Sequence, residues 1–193
     1  MYAFVLSTAV IFVAELGDKS QLMAMTFATR YRVRDVLVGI TVATAVVHLA
    51  SVGLGHWVGD RLADQQGAVA FSAGVAFLAF AVWTWRGDQL SADESGRAAR
   101  STGVAIVAVG VAFFLAELGD KTMLATITLA TQEEGWLGTW IGSTVGMVAA
   151  DALAIVVGAR LGRHLPDRQI RIGATAAFTI FGLLLIADGV GWL

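Results

Sequence analysis

The chain has 193 residues, of which 57% are hydrophobic and only 15% charged, with a mean hydropathy of +0.74. Soluble domains carry about a quarter charged residues, so this composition belongs in a bilayer. A formal charge of -2 offers no basic surface for nucleic acid, and the lack of cysteine excludes disulfides, thiolate metal sites and cysteine nucleophiles.

Taken in chain order, the first hydrophobic segment covers residues 3–29 and contains a compact acidic cluster, Glu15 and Asp18. It has no positively charged start, and its charges arrive where a cleavable core would be ending, so it reads as helix 1 rather than a signal peptide. Residues 36–59 and 65–85 follow as uncharged runs, each long enough to cross about 30 Å of hydrocarbon at 1.5 Å per residue. Residues 86–101, with Asp88, Asp93, Glu94, Arg97 and Arg100 among small residues, read as a flexible solvated linker. The fourth segment, 102–131, again holds an acidic cluster, Glu117 and Asp120. The fifth, 136–159, is hydrophobic except for Asp151, and the sixth, 172–187, continues past Asp188 to Trp192. The expectation is an all-α polytopic membrane protein of six transmembrane helices, with no extramembrane part large enough for an enzyme domain.

Arginines set the orientation. Arg30, Arg32 and Arg34, then Arg86, Arg97 and Arg100, then Arg160, Arg163, Arg168 and Arg171 fall in loops 1–2, 3–4 and 5–6, whereas the opposite side holds only Arg61. The positive-inside bias puts those loops in the cytoplasm of a prokaryotic inner membrane, with both termini outside.

Phe12 to Ser20 reads FVAELGDKS, and Phe114 to Thr122 reads FLAELGDKT, 102 positions later with seven of nine residues identical. Chance convergence of a polar nonamer inside two hydrophobic segments is very improbable, so three helices have been duplicated: residues 1–85 form one repeat and 102–193 the other, joined by 86–101. Three is odd, which inverts the second copy. Loop 1–2 has three arginines, whereas its equivalent, loop 4–5, has Glu133 and Glu134 and no base, as an inverted repeat requires. A 3+3 inverted repeat with interrupted helices and a midplane site is a transporter architecture.

Within each motif the two acids are three residues apart and share one helix face, which Gln21 continues in the first copy. Gly17 and Gly119 lie between the acids, where local unwinding would free backbone oxygens. Carboxylates in hydrocarbon are costly and usually face a polar cavity. The structural alternative is an i,i+4 salt bridge from Glu15 to Lys19 and from Glu117 to Lys121, which leaves Asp18 and Asp120 unexplained. Carboxylate, hydroxyl (Ser20, Thr122), amide and carbonyl oxygens suit Ca²⁺, Mg²⁺ or Mn²⁺, and the same acids can carry the counter-ion, the proton.

The doubled Glu-x-Gly-Asp-Lys-Ser/Thr motif on helices 1 and 4 resembles uncharacterised protein family sixteen over essentially the whole chain. Its members are similar to bacterial manganese exporters and Golgi manganese/calcium transporters, distant relatives of the calcium/cation antiporter superfamily. The resemblance implies that Glu15, Asp18, Glu117 and Asp120 bind the ion, while Lys19, Ser20, Lys121 and Thr122 complete the motifs; the amide of Gln21 is a further candidate ligand by its donor chemistry. Members commonly have glutamine after each Ser/Thr; Met123 stands there in the second copy and leaves Mn²⁺ against Ca²⁺ open. The implied function is a secondary transporter exporting a divalent cation, Mn²⁺ or Ca²⁺, in exchange for protons, with no cofactor.

Outside the motifs, Asp151 reads as a proton or ion relay, or as an acid hydrogen-bonded to Ser143 or Thr144. His48, in the middle of helix 2, reads as a neutral histidine bonded to a helix carbonyl or as a proton relay. His56, His164 and most of the six tryptophans suit the membrane interface, Asp188 lies near the outer boundary, and Met23 and Met25 suit core packing better than soft ligation. The arginines of loop 5–6 suit topology and contact with anionic lipid. An amino-acid exporter or an oligomeric channel are the alternatives. The first has no spare cationic group for a substrate carboxylate, and the second would need repeated rings around a pore. Assembly into a homo-oligomer is compatible with this reading. An enzyme finds no nucleophile–base pair, and Gly-Asp-Lys-Ser lacks the glycine-rich lead of a phosphate loop.

Overall fold

In the computed structural model, which describes residues 1–86, 104–132, 135–161 and 167–192, both segments that carry an acidic cluster break at the glycine between the acids. Helix α1 (Tyr2–Glu15) stops there and α2 (Lys19–Ala28) restarts; α5 (Ala105–Glu117) and α6 (Lys121–Gln132) repeat the arrangement. Leu16 is extended, Gly17 takes a left-handed φ of 74°, and Asp18 is extended again at the start of α2. Leu118 is likewise extended and Gly119 has a φ of 80°. A side chain makes that left-handed conformation costly, so glycine dictates where the chain turns. The turn is closed by Asp18 N–H to Glu15 O, 3.1 Å, and by Asp120 N–H to Glu117 O, 3.2 Å.

The other helices are α3 (Val33–Arg61), α4 (Gln66–Arg86) after a short 3₁₀ turn, α7 (Trp136–Leu161) and α8 (Asp167–Gly189). Four helical stretches among the described residues are long and apolar enough to cross a membrane: Val33–Arg61, Ala63–Arg86, Trp136–Ala159 and Arg171–Gly189. The expected first and fourth helices are instead each a pair, whose first members, α1 and α5, are apolar but short. The linker expected over 86–101 lies, beyond Arg86, outside the described residues, as do Glu133, Glu134, Arg163 and His164.

Packing joins the two halves of the chain. Helices α1 and α2 lie along α7, α5 and α6 lie along α3, α3 crosses α7, and α4 runs against α8. At the α3–α7 crossing, Thr44 Oγ1 donates to Met147 Sδ at 3.2 Å, and Trp140 Nε1 donates to the Ala45 carbonyl at 2.8 Å. Trp140 is therefore an inter-helix brace, while Trp57, Trp85, Trp136 and Trp192 are exposed as interface anchors would be. Between α4 and α8, Gly74 backs onto Gly182, where an added Cβ would come 2.6 Å from the Gly182 carbonyl oxygen. Phe77 meets Phe181 edge-on at 4.7 Å.

Large apolar side chains also cover the outside, among them Val38, Val42, Val46 and Leu49 on α3 and Leu183 and Leu184 on α8. Apolar area on this scale is unfavourable against water and is matched by lipid tails. The chain is an all-helical, multi-pass membrane protein.

Candidate cation site at the two helix breaks

The breaks bring the two motifs together. Glu15, Asp18, Ser20 and Gln21 are buried from the first copy, and Glu117, Asp120, Lys121 and Thr122 from the second; Lys19 is partly exposed. Each glutamate ends one half-helix and accepts a hydroxyl from the first turn of the next. Ser20 Oγ donates to Glu15 Oε1, and Thr122 Oγ1 donates to Glu117 Oε2 at 2.8 Å. The remaining oxygens, Glu15 Oε2 and Glu117 Oε1, are buried with no hydrogen-bond partner among the described residues. Buried carboxylate oxygens are normally satisfied, so these two are candidate ligand atoms.

The lysines do not make the i,i+4 pairs of the structural alternative. Rather than reaching back to the glutamate of its own motif, each pairs with the aspartate of the other. Lys121 Nζ donates to Asp18 Oδ1, and Lys19 Nζ lies 3.5 Å from Asp120 Oδ1. Asp18 and Asp120, unexplained by pairing along one helix, thus have cationic partners. The reason is the break: it ends the helical periodicity that an i,i+4 pair needs and puts the lysine on a new helix. An aspartate followed directly by lysine, neither able to face the other on one helix, is the sequence signal for a partner elsewhere.

Gln21 braces the first turn. Its Oε1 accepts the Gly17 N–H at 2.8 Å, and its Nε2 donates to the Ala150 carbonyl on α7 at 2.9 Å. In the second motif Met123 Sδ accepts the Gly119 N–H at 3.2 Å.

Asp151, one residue beyond that carbonyl, is fully buried beside Ser20 and within electrostatic reach of Glu15, Asp18 and Glu117. It does not bond Ser143 or Thr144, whose hydroxyls both donate to the Trp140 carbonyl. Asp151 lies eight positions after Ser143 on α7, about 12 Å along the axis. His48 is fully buried on α3, and neither ring nitrogen has a hydrogen-bond partner among the described residues, so the expected bond to a helix carbonyl is not made. A helix carbonyl keeps a second lone pair for such a bond, but none is placed to accept from His48.

Met23 is buried in the apolar core and Met25 packs on Gly158, as core packing requires. His56 and Asp188 line a polar cavity of about 710 Å³ with Asp60, Gln66 and Gln132, where α3, α6 and α8 end and α4 begins. Among the described residues no three His, Asp or Glu side chains converge tightly enough to hold an ion unaided; at the motifs, both aspartates are held by ammonium groups.

The family profile described as "Divalent cation/proton antiporter GDT1" matches residues 3–92 and 105–192. A Vibrio cholerae protein named as a manganese exporter is 33% identical over 186 residues, covering 95% of this chain and 90% of that one. Chloroplastic PAM71 of Arabidopsis thaliana is 31% identical over 207 residues, and the match spans 92% of this chain but 55% of PAM71. GDT1-like protein 4 of Oryza sativa subsp. indica is 28% identical over 205 residues, 95% of this chain and 70% of that one. No solved structure matches. Paired acidic motifs inside a helical membrane protein and a family match over nearly the whole length lead to one assignment: the chain belongs to the GDT1 family of divalent cation/proton antiporters, and is a transporter rather than an enzyme.

Proposed function

We propose that this antiporter exports Mn²⁺ from a prokaryotic cytoplasm in exchange for protons, with Ca²⁺ as the main competing ion. The ion binds between the two motifs, at Glu15, Asp18, Glu117 and Asp120, while Gln21, Lys19, Ser20, Lys121 and Thr122 shape the site. The observation that carries this reading is the matched pair of buried glutamates, each with one oxygen taken by a hydroxyl and the other lacking a hydrogen-bond partner among the described residues. Oxygen donors of this kind suit Mn²⁺ and Ca²⁺, whereas Mg²⁺ dehydrates reluctantly. The name of the Vibrio cholerae relative supports manganese and outward transport.

On this reading α1 with α2, and α5 with α6, each cross the membrane as one broken span, giving six spans in a 3+3 inverted repeat. Residues 1–85 and 102–193 are the repeats and 86–101 is a cytoplasmic linker. The exchanged packing of α1 on α7 and of α5 on α3 supports the pseudo-symmetry, and so do the two separate blocks of the family match. Rocking of one repeat against the other exposes the shared site to each face in turn. The carboxylates that release the cation take up protons before the return step, with Asp151 as a buried proton carrier beside them and His48, buried on α3, as a second carrier. Both lysines are engaged by aspartates, which disfavours an amino-acid substrate.

The test is cation-driven proton movement in liposomes. Wild type should exchange Mn²⁺ for H⁺, and Asp18→Asn or Asp120→Asn should each abolish exchange in a protein that still folds. Normal exchange by either variant would rule out one shared site, and Mn²⁺ flux without proton movement would rule out antiport.

A further inference from the structure

Asp18 and Lys121, and Asp120 and Lys19, are equivalent pairs under the duplication, because each position of one motif lies 102 residues from its counterpart. Both connect the repeats, and each occupies an aspartate of the site. They are not equally closed. Lys121 contacts Asp18 directly, with 4% of its side chain exposed, whereas Lys19 stands 3.5 Å from Asp120 with 17% exposed.

We propose that Lys19 and Lys121 are positioning residues that act as tethered competitors of the transported cation. Each ammonium holds the aspartate of the opposite motif, leaves it when the metal ion enters, and returns to it as the ion departs. This rests on the motif acids being the cation site. Two charges compete for the same oxygens, so the affinity of the site is a difference between metal–carboxylate and lysine–carboxylate attraction. A divalent ion drawn by several buried carboxylates would otherwise bind too firmly to be released, and the lysines supply the opposing attraction without contributing a ligand. The tighter Lys121–Asp18 pair carries more of the competition than the looser Lys19–Asp120 pair. Charge type matters as well. Arginine in place of Lys121 would grip the Asp18 carboxylate through a two-pronged planar fork and compete more strongly.

The experiment measures Mn²⁺ binding by calorimetry on the purified full-length protein, together with Mn²⁺ uptake at varied concentration in liposomes. Lys121→Gln should bind Mn²⁺ about tenfold more tightly, a change of roughly 1.4 kcal/mol, while its maximal transport rate falls because release is slowed. Lys19→Gln should shift the same way by less, and Lys121→Arg should bind more weakly than wild type. A lysine that only stabilises the fold would lower the melting temperature and would not move Lys121→Gln and Lys121→Arg in opposite directions. Unchanged or weaker binding by Lys121→Gln would overturn the proposal, and if that variant fails to fold, wild-type or tighter binding by Lys121→Arg does so. Glu15→Gln measured in parallel separates the two readings. Loss of binding there with no lysine effect rejects only the competition, whereas wild-type binding by Glu15→Gln rejects the site itself.

Discussion

Gln21 and Met123 stand at equivalent positions in the two motifs, and each accepts the N–H of the left-handed glycine four residues before it, one through an amide oxygen and the other through sulfur. The second motif therefore keeps the contact that closes the turn, through sulfur, and lacks the amide N–H that ties Gln21 to the Ala150 carbonyl. Met123→Gln should retain the Gly119 contact with a stronger acceptor and raise stability by up to about 1 kcal/mol. Because the acceptor atom is engaged in the turn, the ratio of Mn²⁺ to Ca²⁺ flux should not change. Thermal melts and paired flux measurements check both statements, and a shifted ratio would make residue 123 a direct determinant of ion choice.

The breaks themselves are testable at glycine. A Cβ added at Gly119 meets nothing within 4 Å, so Gly119→Ala isolates the backbone term and should destabilise by about 1–2 kcal/mol. Gly53, in the interior of α3 with equally open space, is the control. There Gly53→Ala should stabilise by about 0.5–1 kcal/mol. Melting temperatures moving in the same direction for both variants would refute the left-handed turn as the source of the break.

Among the described residues, Asp151 and His48 are the buried ionisable groups outside the motifs that no salt bridge accounts for. Asp151→Asn and His48→Gln should keep Mn²⁺ binding within severalfold of wild type while sharply lowering the proton movement that accompanies Mn²⁺ flux. Calorimetry with a pH-sensitive dye in the liposome lumen separates the two effects. Loss of Mn²⁺ binding in Asp151→Asn would make that carboxylate a ligand instead.

Orientation is accessible because the chain has no cysteine of its own. A cysteine at Asp93 should react with an impermeant thiol reagent only after permeabilisation, and one at Asp64 or appended after Leu193 should react from outside. The reverse pattern would invert the topology, and Asp93 and Leu193 reacting from the same side would exclude three spans after the linker.

Membrane residence, the helical class and the position of both breaks were legible in the sequence, because hydropathy, helical periodicity and the conformational freedom of glycine are local properties. Even the acids that meet at the site were marked by their repetition. The partners of those acids were not. Lys121 sits 103 positions from Asp18, and which of four carboxylates it reaches depends on how α2 and α6 leave their turns, not on spacing along either helix. Asp151 likewise read as a relay or as a partner of Ser143 or Thr144, and only the packing of α2 on α7 puts it beside Ser20; only the α3–α7 crossing offers Trp140 the Ala45 carbonyl. Side chains on separate helices are brought together by crossing geometry, which results from the packing of every apolar face at once, and only the tertiary structure decides it.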